Sequence, residues 1–209
     1  MLNTIKPDVL HICTPHNLHV PMAKIALDKA IHVMVEKPLG LNERDANALS
    51  QAVEQGSSVL GVCYQNRYNN SVLQACDYIK SGELGALKHV RAFVTWGRNR
   101  DYYTKSGWRG TLSKEGGGVL INQAVHTLDL LMCFAGTPSK IGATIANHHL
   151  KGIIEVEDTA EIYMQFGFYK ESLISITKKG KDGAEQIQRL MHGFRANRPA
   201  TINGIKVTR

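Results

Sequence analysis

The sequence predicts an α/β unit followed by an α+β unit: part of a doubly wound parallel sheet, then a predominantly antiparallel open sheet. Three features point there. The first third alternates β-branched runs with segments of helical period, the character changes near residue 83, and strand-like runs then follow one long apolar helix.

Asp8 to Thr14 is an apolar, β-branched run closed by Pro15, which predicts a buried strand ending in a turn. From Val20 to Ala30, Met22, Ala23, Ile25, Ala26 and Leu27 fit one helical face, with Pro21 tolerated in the first turn. Ile31 to Glu36 reads as a second strand, ended at Pro38. Asn42 is an N-cap with Glu43 and Asp45 in the first turn, and Ala46, Leu49, Ala52 and Val53 carry that helix to Gly56. Ser58 to Cys63 is a third strand. Strand, helix, strand, helix, strand with short connections is the pattern of a parallel sheet.

A turn over Gln65 to Asn70 leads to a helix from Val72 to Lys80, ended by Ser81-Gly82. Ala86 to Trp96 reads as a long strand. A glycine-rich, aromatic loop spans Gly97 to Gly118, and Val119 to Phe134 reads as an apolar helix. Strand-like runs follow at Ile141 to His149, Thr159 to Phe166 and Ser172 to Thr177, spaced as in an antiparallel sheet. The tail offers a helix from Ala184 to Phe194 and a strand from Ala200 to Val207. These signals divide the chain into residues 1–66, a connecting helix over 67–82, and a second domain over 83–209.

Composition narrows the function. The 209 residues carry 25 Lys and Arg against 18 Asp and Glu, a net charge of +7, with 43% hydrophobic residues, an ordinary globular balance that excludes disordered and collagen-like chains. The positive surplus suits a phosphorylated or carboxylated ligand or a plain solvated surface. Nucleic acid is not expected, because no basic run is interleaved with aromatics. No stretch approaches the roughly 20 apolar residues of a membrane span. Without a signal-peptide pattern, and with Cys13, Cys63, Cys76 and Cys133 scattered, a cytoplasmic protein with reduced thiols is expected. No metal site is expected, since neither the His16, His19 pair nor His148-His149 is completed by a thiolate or carboxylate cluster.

Ligands of a parallel sheet sit outside the carboxyl ends of its strands. Two strands end there in unusual residues: Thr14-Pro15-His16-Asn17-Leu18-His19, and Glu36-Lys37-Pro38. The Glu-Lys pair before a proline either aims an ammonium at a substrate hydroxyl or carbonyl, or forms a surface ion pair. Asn122, His126 and Asp129 make one polar stripe on an apolar helix, which either places a general base or faces water. Gly116-Gly117-Gly118, Trp108-Arg109-Gly110 and Tyr102-Tyr103 crowd the preceding loop and suit a sugar or nicotinamide ring, or a packed loop.

TPHNLH at 14–19, EKP at 36–38, QNRY at 65–68, KSGELG at 80–85, WRG at 108–110 and EGGGVLINQAVHTLD at 115–129 resemble, in order and spacing, the Gfo/Idh/MocA oxidoreductases. The resemblance implies a partial Rossmann-type dinucleotide-binding domain and an α+β domain whose sheet forms a homo-oligomer interface. It implies NAD or NADP as cofactor and a sugar, cyclic polyol or sugar derivative as substrate. Lys37 would orient the reacting hydroxyl, and His126 would take or return the proton while hydride moves at the nicotinamide, with Asn122 beside them. Thr14, Pro15, His16, Asn17, His19, Glu36, Lys37 and Pro38 would line the cofactor side, with Arg67, Trp108 and Arg109 near cofactor or substrate. Tyr103, Asn122, His126 and Asp129 would face the substrate with Lys37.

Three departures from the family accompany this. Asn122 stands where many members carry Asp, so it can orient but not relay a proton. No G-x-G-x-x-G occurs, so roughly two βα units, on the order of 50–60 residues, are expected ahead of Met1. The sheet strands that the family carries between Gly180 and its closing helix are missing from this sequence. Two other functions therefore stand beside the dehydrogenase: a shortened, non-catalytic assembly or sugar-binding module, and an NAD-dependent glycosidase.

Overall fold

The computed structural model describes residues 2–166 and the backbone of 201–202 and 205–206. A one-turn helix α1 (Leu2–Ile5) precedes β1 (Val9–Ile12), α2 (His19–Leu27), β2 (His32–Glu36), α3 (Glu43–Gln55) and β3 (Leu60–Cys63). The three strands form a parallel sheet in the order β1-β2-β3. Its register aligns Ile12 with Val35 and Val35 with Val62, and Glu36 with Cys63. The residues following each strand therefore emerge at one edge, as the sequence predicts. The Asn42 side chain accepts from Asp45 N at 3.0 Å, the predicted cap.

Strand β2 alternates, with Val33 and Val35 buried and His32 and Met34 turned the other way. Val33, Val35 and Ile12 meet Ala23, Ala26 and Leu27 of α2 and Ala46 and Leu49 of α3 in one apolar cluster. Both helices thus cover the same face of the sheet. This cluster fixes the sheet edge from which the site is built.

A 3-10 turn at Gln65–Tyr68 leads into α4 (Asn70–Ser81), which ends at Gly82 in the left-handed region (φ 75°). Asn99 then caps a short helix α5 (Arg100–Thr104), inside the segment read as loop. Helix α6 (Val125–Ala135) packs on an antiparallel pair, β4 (Pro138–Ala146) and β5 (Thr159–Phe166). Leu120, Ile121, Val125 and Leu128 meet Ala143, Met164 and Phe166 in this second core.

Three expectations are corrected. Ala86 to Trp96 is not a strand: it has no ladder partner among the described residues, and Phe93 is 84% exposed. An apolar, β-branched run makes a strand only where a neighbour takes its N–H and C=O groups. The helix predicted from Val119 begins at Val125, because residues 119–124 form turns in which Ala124 N donates to Val119 O, one residue beyond the α-helical spacing. Asn122 therefore precedes the helix that carries His126 and Asp129. In the tail, β6 (Thr201–Ile202) pairs antiparallel with β7 (Ile205–Lys206), so Ala200 to Val207 is not one strand. The predicted strand Ser172 to Thr177 and helix Ala184 to Phe194 lie outside the described residues.

Candidate active site

Beyond the end of β2, the Lys37–Pro38 peptide is cis, and Lys37 Nζ donates to the backbone oxygen of Asn122 at 2.9 Å and to its Oδ1 at 3.2 Å. The ammonium thus bridges the first sheet and the segment leading into α6. Burial lowers the Lys37 pKa, with Glu36 and Glu115 opposing and Arg109 and Arg98 adding to the shift.

Asn122 is held from its other end. Its Nδ2 donates to Glu115 Oε1 at 2.5 Å and to the Tyr102 hydroxyl at 3.2 Å. Glu115 Oε2 in turn accepts from Gly110 N at 2.5 Å. Its side chain is buried, which raises its pKa, while the two N–H donors and Arg109 pull back toward the carboxylate.

His126 is the second residue of α6, edge-on to Tyr64, and its Nδ1 has no hydrogen-bond partner among the described residues. Burial lowers its pKa and Lys37 lowers it further. A buried neutral imidazole beside a lysine can exchange a proton near pH 7.

The cofactor-side residues are distributed unequally. His16 is buried, donates from Nδ1 to the Glu115 carbonyl at 2.9 Å and meets the Trp108 ring edge-on at 4.7 Å. Its pKa is lowered to about 3, chiefly by burial. Asn17 N donates to Lys114 O, which ties the turn after β1 to the same loop. The Arg109 guanidinium lies over the rings of Tyr102 and Trp108, 4.5 Å from each centroid. Thr14 Oγ1 and Arg109 Nε are buried polar atoms without partners among the described residues.

Four predicted residues are engaged elsewhere. His19 has no exposed surface (0%), and its two ring nitrogens lie 2.7 Å from Pro38 O and 2.9 Å from Thr14 O, so it braces the strand ends from beneath. Asp129 is buried and takes two hydrogen bonds from Arg67, one at 2.6 Å from Nε, and these push the Arg67 pKa up. The stripe with Asn122 and His126 is therefore inward-facing, not a solvated face. Tyr103 is buried in a separate apolar cluster with Leu150, Ile154 and Val156.

The sequence reading missed Glu115 and Tyr102 as partners of Asn122. An acidic residue directly ahead of three glycines and an apolar run is the one signal that marks Glu115, since a glutamate there is either solvated or buried with hydrogen-bond donors of its own. A second buried acid, Glu157, seats the segment: its carboxylate accepts from Gly118 N at 2.9 Å and Leu120 N at 3.0 Å.

Residues 1–64 match the oxidoreductase family with an NAD-binding Rossmann fold, and residues 72–177 match the GFO/IDH/MocA C-terminal domain. The chain is 30% identical over 141 residues to D-glucoside 3-dehydrogenase of Escherichia coli (strain K12), covering 66% of this chain and 39% of that protein. Levoglucosan dehydrogenase of Pseudarthrobacter phenanthrenivorans is 28% identical over 138 residues, covering 66% of this chain and 35% of that protein. The fold is similar to the WlbA dehydrogenase from Bordetella pertussis in complex with NADH and UDP-GlcNAcA, with a TM-score of 0.75 and 29% identity over 84% of this chain and 54% of that one. The chain thus spans between about a third and a half of the length of these relatives. No described helix is long and apolar enough to cross a membrane. With both halves matched in order, the chain belongs to the Gfo/Idh/MocA family of NAD-binding oxidoreductases.

Proposed function

We propose that this chain forms the nicotinamide side and the reacting centre of an NAD-dependent dehydrogenase that oxidises a CH–OH group of a sugar or sugar derivative, or reduces the corresponding ketone. The observation that carries this reading is the convergence of Lys37 from the end of β2 with Asn122 and His126 from α6 and the segment before it. The relatives named glucoside and levoglucosan dehydrogenases, and the WlbA complex with a nucleotide sugar, give the substrate class.

The residues fit the cofactor. Among the described residues, Thr14 Oγ1 after β1 and Arg109 Nε in the loop before Glu115 have no partners, and Trp108, Arg109 and Tyr102 make a cationic, aromatic wall. Thr14, Pro15, His16, Asn17 and Glu36 would hold the nicotinamide half against that wall. NAD, when bound, accepts or returns the hydride. Lys37 Nζ, already held by two Asn122 oxygens, has a third donor position for the reacting oxygen. The His126 imidazole, kept neutral by burial and by Lys37, would take the hydroxyl proton or give it back. Trp108 and the buried His16 exclude water from the strand ends.

The same reading includes the division into residues 1–66, 67–82 and 83–209, assembly of copies through the β4–β5 sheet, and a cytoplasmic setting that keeps the four free cysteines reduced. Incubation of the purified chain with NAD and D-glucosides or levoglucosan is expected to produce NADH. Lys37→Met and His126→Asn should each cut turnover by about 10²–10⁴-fold. Turnover equal to wild type in both variants would discard the assignment.

A further inference from the structure

Glu115 carries a carboxylate with 0% exposure, one hydrogen bond away from the residue that holds Lys37. Its geometry is that of a clamp. Oε2 accepts from Gly110 N, which anchors it to the loop, and Oε1 accepts from Asn122 Nδ2. The Asn122 amide group also donates to the Tyr102 hydroxyl, so its nitrogen end has acceptors for both hydrogens. Its oxygen end then has one direction left, toward Lys37 Nζ.

A primary amide is nearly symmetric in shape, so packing alone does not choose which end faces the lysine. An ionised carboxylate does choose, because it only accepts. The reversed amide would set an oxygen against the carboxylate and two N–H groups against the ammonium. We infer that Glu115 is a positioning residue: it fixes the Asn122 amide so that Oδ1 and the backbone oxygen hold the Lys37 ammonium in place for the reacting hydroxyl. This rests on the proposed function only for the role given to Lys37. Glu115 and Glu36 also place negative charge where burial, Arg109 and Arg98 disfavour the ammonium.

The test reads Lys37 itself. The wild-type chain and Glu115→Gln are labelled with acetic anhydride across a pH series, and acetylation of the Lys37 peptide is followed by mass spectrometry. Glutamine is isosteric and keeps an acceptor for Gly110 N, but it offers an NH2 to Asn122. The amide must then turn its own N–H groups toward Lys37, and the negative charge is gone. The midpoint of Lys37 labelling is expected to move to lower pH, with a several-fold faster rate at a fixed pH on the rising limb. A merely structural role predicts the opposite shift: a loosened loop admits water, relieves the desolvation of Lys37 and raises its midpoint. A midpoint that rises or stays put overturns the inference.

Loss of the Glu115 charge alone also lowers the midpoint, so neutron diffraction from wild-type crystals decides the orientation of the amide whether or not Glu115→Gln folds, because nitrogen and oxygen scatter differently. Nδ2 toward Glu115 and Oδ1 toward Lys37 supports the clamp; the reverse overturns it. Neither readout uses cofactor or turnover, so a chain without dehydrogenase activity would leave both intact.

Discussion

At neutral pH the His16 ring is uncharged, because it is buried against Trp108 with Lys37 and Arg109 close by, and its pKa is lowered to about 3. Below its ordinary value of 6.5 the unfolded chain takes up a proton that the folded chain refuses. Its contribution is therefore intact above pH 6.5 and is lost as pH falls toward 3. His16→Asn keeps a donor for the Glu115 carbonyl but removes the titration. Between pH 6.5 and 4, wild type should lose about 3 kcal/mol that His16→Asn retains, read from urea midpoints across the series. Parallel curves would show that the ring is not held neutral. The identity of such residues is legible in sequence, since TPHNLH marks the end of a strand. Their division of labour is not: His16 and His19 stand three apart, yet one meets Trp108 and the other lies wholly beneath the strand ends.

At the scale of elements, the segment entering α6 is set by how closely its glycines approach other backbone. A Cβ on Gly118 would stand 1.8 Å from the Glu157 carbonyl oxygen and 2.8 Å from its carbon. That oxygen accepts from Val119 N, and the Glu157 carboxylate accepts from Gly118 N and Leu120 N, so neither strand of chain can step back. Gly118→Ala is expected to cost more than about 4 kcal/mol, whereas Gly97→Ala, with open space around it, should stay within about 0.5 kcal/mol. Thermal melts of the two variants check this, and a wild-type melt for Gly118→Ala would refute the seating. The parallel strands and their helices were legible because each carries its own local signal, a β-branched run closed by proline or a capped helical face. Residues 86–96 and 119–124 were not. Strand character at the first depends on a partner that the run does not itself specify, and at the second the close approach of Glu157 replaces regular helix with turns.

On the scale of the whole molecule, the two halves are joined along one seam. His16 Nδ1 and Asn17 N reach the loop at Glu115 and Lys114, Lys37 reaches Asn122, and Arg67 reaches Asp129 of α6. Gly116, in the left-handed region at φ 86°, lies close enough to Leu41 that a Cβ would sit 2.9 Å from its side chain. Most of these links are polar and buried, so opening one half exposes unpaired groups on the other. Backbone amides of β2 and α6 are therefore expected to exchange hydrogen at a common opening free energy, although they lie in different apolar cores. Arg67→Met tests the coupling, because it leaves the buried Asp129 carboxylate without the two hydrogen bonds of its ion pair. Breaking a buried pair from one side costs about 3–5 kcal/mol. The loss should appear equally in peptides covering Val33–Val35 and Leu128–Met132 by hydrogen-exchange mass spectrometry. Protection lost from the α6 peptide alone would mean that the seam aligns two independently stable halves, and the site would then depend on their docking and not on a single cooperative fold.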